Sequence, residues 1–117
     1  MPYQNRSLRP DLSASQDLSS AALSYTTAIG RRFKLESVYL KASVSITETV
    51  TITLDSALGA NYDVVLNTYD MVAETSFVWR PQGELNLQAG DEIKVQCTAA
   101  NTTGVVKAVI KTSELTS

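Results

Sequence analysis

The chain has 117 residues, 44% of them apolar and 19% charged, with a formal net charge of −2. It contains no histidine and one cysteine. That excludes histidine acid–base chemistry, Ser-His-Asp and Cys-His nucleophiles, His/Cys zinc sites and an intrachain disulfide.

A chain of this length makes one domain able to bury a core without staples. Ser and Thr, 13 of each, stand where charged residues usually do. No apolar run approaches the ~18 residues of a bilayer span, and Met1–Arg6 leads into polar sequence rather than a signal-peptide core. The cations are scattered apart from Arg31-Arg32, so neither a membrane nor a nucleic acid is expected as partner. The composition predicts a non-enzymatic, Thr-rich β domain.

Residues 1–22 are polar and short-sided, with Pro2, Pro10 and five serines. Leu8, Leu12 and Leu18 are the only sizeable anchors, and no 3.6-residue stripe runs through them. This reads as an extended N-terminal arm, ordered against a partner or frayed, preceding a β domain over 23–117. In the arm, Leu8, Leu12 and Leu18 would anchor on a partner while Arg6 and Arg9 pair with its carboxylates. Arg31 and Arg32 are a further candidate contact.

From Leu23 the chain reads as strands. Residues 23–29 are β-prone and close at Gly30; Phe33-Lys34-Leu35-Glu36 then alternates. The apolar parity changes at Ser37-Val38, after which Val38, Leu40, Ala42, Val44 and Ile46 share a face. Such a change marks a β-bulge or a strand passing between sheets. Thr49–Leu54 is the cleanest alternation, with Val50, Ile52 and Leu54 inward. After a turn-rich 55–61 come strands over 62–69 and 76–79, the latter placing Phe77 and Trp79 on one face, in the core. Turns at Arg80–Gly83 and Ala89–Asp91 flank Leu85–Leu87. Ile93, Val95 and Cys97 face inward, and a loop at 101–104 leads into Val105–Thr112. Seven or eight strands with recurrent turn signals and no helix predict an all-β fold, an antiparallel β-sandwich of jelly-roll type.

The candidate chemistry is thin. The carboxylates Asp55, Asp63, Asp70, Glu74, Glu84, Asp91 and Glu92 sit at strand ends and turns, without a groove suited to a two-carboxylate glycosidase. Asp55, Asn61 and Asp63 could offer oxygens to calcium but lack the loop spacing of a dedicated site. Cys97 shares the parity of Ile93 and Val95, as a buried apolar residue would. Trp79, Phe77 and tyrosines 25, 39, 62 and 69 are candidates for a sugar-stacking platform. Asn101-Thr102-Thr103 matches a glycosylation sequon but reads as a turn. No cofactor, metal or catalytic residue is expected.

Leu85-x-Leu87-x-x-Gly90-Asp91-x-Ile93-x-Val95 is similar to the strand–turn–strand pattern of jelly-roll domains, including trimeric tumour-necrosis-factor-like and viral ones. With Phe33-x-Leu35-x-x-Val38-x-Leu40 and Val50-x-Ile52-x-Leu54-Asp55-Ser56, the span 31–112 resembles small head-decoration or cement proteins of tailed bacteriophages. The resemblance implies a virion protein made in the host cytoplasm. It would bind the major capsid protein or other virion subunits, as a homo-oligomer such as a trimer. The alternative reading is a carbohydrate- or receptor-binding module of a tail fibre or lectin-like protein.

Overall fold

The structure is a computed structural model that describes residues 12–27, 32–100 and 103–114. Seven strands follow in order: β1 (Leu12–Asp17), β2 (Leu23–Thr26), β3 (Phe33–Asp55), β4 (Val64–Trp79), β5 (Asn86–Leu87), β6 (Glu92–Cys97) and β7 (Val105–Glu114). One 3₁₀ turn, Ala60–Tyr62, precedes β4.

β3 is 23 residues long and β4 is 16, far beyond the usual strand of about five or six residues. Each serves as two strands. The first half of β3 pairs with β7, from Phe33↔Glu114 to Ala42↔Val106. Its second half pairs with β6, from Val50↔Cys97 to Asp55↔Glu92. β4 runs antiparallel along the other edge of both halves. β1 adds outside β7 and β2 outside β6. Two four-stranded layers result, β1-β7-β3-β4 and β2-β6-β3-β4, sharing one long hairpin. That is the wrap of a jelly roll, as the sequence predicts.

The parity change at Ser37-Val38 is a bulge: Leu35 pairs with Thr112 but Ser37 with Lys111, leaving an extra residue on β3. Without it Phe33 and Leu35 would face out where Val38 and Leu40 face in; all four are at most 1% exposed. A second irregularity lies between Lys41 and Ile46, where β3 passes from one layer to the other. There Val44, expected inside, is 46% exposed, and the buried even parity resumes at Ile46. Ser43 Oγ accepts from Val105 N–H at 2.9 Å, tying the crossing to the start of β7.

The core between the layers holds Val50, Ile52, Leu87, Ile93, Val95 and Cys97, as expected, with Phe33, Leu35, Leu40, Ile46, Met71 and Ile110. Leu54, Phe77 and Trp79, expected inside, are half-buried against its rim. The latter two lie on β4, which pairs only with β3 among the described strands.

The expected N-terminal arm needs correction from Leu12 onward. Leu12–Asp17 is β1, paired with β7 along its whole length, and Leu18 is 1% exposed in the core. Residues 12–17 alternate half-buried and exposed, but with Ala14 and Gln16 inside and Ser13 and Ser15 outside the apolar contrast is small. The corner from β1 to β2 is closed by Asp17, whose Oδ1 accepts from the Ser19 hydroxyl at 2.7 Å and the Ser19 amide at 3.0 Å. The hydroxyl first, then the amide, hold this carboxyl below the usual range.

Removing residues 1–20 therefore takes away a strand, a corner and a core leucine, and the shortened protein is expected to melt well below the full chain by circular dichroism. Ile52→Ala, at a site with no exposure, should cost about 2–5 kcal/mol in urea unfolding.

Candidate functional site

Of the residues expected to contact a partner, the structure describes Leu12, Leu18 and Arg32. Arg6, Leu8, Arg9 and Arg31 lie outside the described residues. Leu12 and Leu18 are spent on the sandwich itself. Arg32 is exposed at the start of β3, beside a shallow open depression that Asn86, Leu87, Gln88 and Ala89 also line.

The carboxylates expected in turns act mainly as fasteners. Asp91 is 8% exposed; its Oδ1 accepts from Ala57 N–H at 2.8 Å and its Oδ2 from Gln88 N–H at 2.9 Å. It thus caps its own turn and staples it to the loop before β4. Asp63 Oδ1 accepts from Ser56 N–H at 2.7 Å, which closes that loop on itself. Among the described residues no three Cys, Asp or Glu side chains gather as a metal would require.

The aromatics are dispersed. Tyr69 and Phe77 stack on each other, centroids 4.4 Å apart and planes 8° from parallel. Tyr25 shares a register position with Val95 on the inner face, while Tyr39 lies opposite Val78 on an outer one. Tyr62 stands alone in the 3₁₀ turn. Among the described residues these tyrosines do not form a common platform.

What the structure does gather along β4 and the loop before it is a ridge of exposed apolar side chains that follows the strand's open edge, with Val65 toward the outer face of one layer and Val78 toward that of the other. Among the described residues eight large apolar ones are exposed, and six of them, Leu58, Tyr62, Val64, Val65, Val72 and Val78, fall within residues 58–78. β4 pairs only with β3 among the described strands, so one strand forms the open edge of both layers. The loop that carries Leu58 and Tyr62 is fixed by its own hydrogen bonds. Gly59 N–H donates to Ser56 O, Tyr62 N–H to Gly59 O and Leu58 N–H to Ser56 Oγ. Gly59 sits at φ 116°, a backbone conformation that residues carrying a Cβ avoid.

Midway along β4, Val72 is pushed outward by a second fixed feature. Ala73 has φ 53°, a left-handed conformation costing a non-glycine residue about 1–2 kcal/mol. Its N–H donates to Thr47 Oγ1 at 3.1 Å. Glu74 holds the other side, accepting from Tyr69 Oη–H at 2.8 and 2.9 Å and from Val72 N–H at 3.3 Å. The bond to Glu74 raises the Tyr69 phenol above its ordinary range, helped by burial and by the carboxylate's charge. With Val72 65% exposed, the ridge is presented by a built scaffold.

One signal in the sequence points to this ridge. Val64-Val65-Leu66 are three consecutive apolar residues, and a strand with one packed face cannot turn all three inward.

Opposite the ridge, the loop from β6 to β7 is clamped by Glu48, which is 3% exposed. Glu48 accepts from Thr98 Oγ1–H at 2.7 Å and Ala100 N–H at 2.8 Å. Thr98 Oγ1 in turn accepts from Thr49 N–H at 2.9 Å. Cys97, one residue before, is 1% exposed. Burial first, and the charge of Glu48 second, push its thiol up to about 11 from an ordinary 9.0.

Because the folded thiol titrates above the unfolded one, its contribution to stability is fully present below pH 9 and lost as pH rises toward 11. A Cys97→Ala variant should show a flatter fall in stability over that window. The native thiol should also react with a chromogenic disulfide at pH 8 far more slowly than in denaturant.

No protein-family model matches the chain, and no curated protein does. Among solved structures it is similar to the NLP core of Drosophila, whose structure was described for insight into pentamer formation and histone binding. That likeness has 12% identity over 87% of this chain and 96% of that one, with a TM-score of 0.43.

Proposed function

We propose that this jelly-roll domain is a non-enzymatic structural protein that docks on an assembled protein coat, as a decoration or minor head component of a tailed phage. The observation that carries the reading is the apolar ridge of β4 and its preceding loop. Patches of this kind, fixed in place and rimmed by polar groups, mark sites of protein contact. Pre-ordering matters for the energetics, because the backbone carrying Leu58 and Tyr62 is already held by hydrogen bonds, which leaves mainly side-chain entropy to be lost on docking. A modest contact of this size suffices when the same site recurs over a lattice and several linked copies bind together. The phage context comes from the resemblance of residues 31–112 to head-decoration proteins, and the ridge supplies the contact surface that such a role needs.

The reading is tested by co-sedimentation with expanded empty shells of the virus that encodes the chain. The unaltered protein should pellet with the shells. Val65→Lys combined with Val72→Lys should abolish pelleting while changing stability by less than about 1 kcal/mol, since both positions are mostly exposed. Failure of the unaltered protein to pellet would end the phage-coat reading.

A further inference from the structure

The outer faces of the two layers carry opposite charge arrangements, and each contains a pair of like charges directly opposed across neighbouring strands. On the β1-β7-β3-β4 layer, Lys41 of β3 faces Lys107 of β7. Both are exposed and lie on the parity opposite to Leu40 and Ala108, which have no exposure. On the β2-β6-β3-β4 layer, Asp55 of β3 faces Glu92 of β6, opposite in parity to the fully buried Ile93. Like charges in direct cross-strand register destabilise a sheet. Neither pair is relieved by an ion pair among the described residues, where the ion pairs are those of Lys34 with Glu36 and Glu84.

Each pair also has an apolar side chain near it on the same face. Beside the lysine pair runs an apolar row, Val109, Tyr39 and Val78, in register across three strands, with Lys111 beyond it on β7. Asp17 at the end of β1 is turned to Ser19. Beside the acidic pair runs Lys94, Thr53 and Val65, also in register, with Val65 59% exposed. Asp70 lies further along the same face and accepts from Thr49 Oγ1–H.

We propose that copies of this chain associate face to back, the Lys41–Lys107 pair of one copy seating on the Asp55–Glu92 pair of the next. The occupant of the lysine face is a second copy, because the same chain carries the complementary charges and an apolar neighbour on the opposite side of the sandwich. The contact is heterologous: a joined pair still presents one free face of each kind, so association continues until a ring closes or a filament grows. It does not rest on the docking reading above and is tested without shells.

The test is sedimentation velocity on the full chain. The unaltered protein should form species larger than a monomer at low salt, with an apparent dissociation constant roughly tenfold or more weaker at molar salt, where such contacts are screened. Lys41→Glu with Lys107→Glu should be monomeric, and so should Asp55→Lys with Glu92→Lys. Each keeps a like-charge pair of the same spacing, and circular dichroism checks its fold. An equimolar mixture of the two should recover the association, because reversed faces meet reversed faces. Lys107→Thr, which removes one charge without reversing it, gives a milder weakening and covers a fold lost in a double variant. A monomeric unaltered chain, association indifferent to salt, or a mixture that stays monomeric would each overturn the proposal.

Discussion

Everything in this fold hangs on the hydrogen bonding of one strand. β3 is paired on both edges for most of its length, by β7 then β6 on one side and by β4 on the other. A 23-residue ribbon cannot stay flat in two packed layers, since strands twist and a packed core demands a constant inner face. The chain meets this constraint with irregularities at Glu36 and at Ser43–Ser45. The first restores the inner face after Leu35; the second turns the strand from one layer into the other. β4 follows the same path and needs its own adjustment, which is why Ala73 adopts a conformation unfavourable for alanine.

The apolar ridge follows from that geometry. β4 has to accompany β3 through the bend, so it borders both layers, and Val64, Val65, Val72 and Val78 line a free edge. Native proteins commonly blunt such edges with lysine, proline or a bulge. β4 contains no lysine or proline, and its protection against strand addition is the break at Val72-Ala73. Stability and surface are thus set by the same residues. Asp91, Asp63 and Glu74 secure the backbone, and the valines and Tyr62 they fix in place are left facing solvent.

Much of this was legible in the sequence where side chains contrast sharply. The threonine–aliphatic alternation of Thr49–Leu54 became a strand, and the parity change at Ser37-Val38, which marks a bulge or a crossing between sheets, is a bulge. Asp91, placed in a turn by the sequence, caps that turn. β1 was hidden because Ser13, Ala14 and Ser15 differ little in size or polarity, so its alternation carries almost no hydrophobic signal. The continuity of β4 was hidden by Asp70, Glu74 and Thr75, polar residues that read as a loop but sit at a bend within one strand. The ridge was obscured for a related reason: valine has the same strand preference on an open edge as in a core. No propensity separates the two.

The pairing of β1 with β7 joins residues near opposite ends of the chain, Leu12 with Ile110 and Asp17 with Val105. During synthesis β1 leaves the ribosome long before its partner strand exists, while the β3–β4 hairpin, closed by a short loop, can form early. β1 must therefore wait unpaired beside an incomplete sheet. Its Ser-Ala-Ser-Gln centre suits that interval, because a strand with little apolar surface is a poor seed for joining other nascent chains. The weak hydrophobic pattern that hides β1 from the reader of the sequence also hides it from unwanted partners.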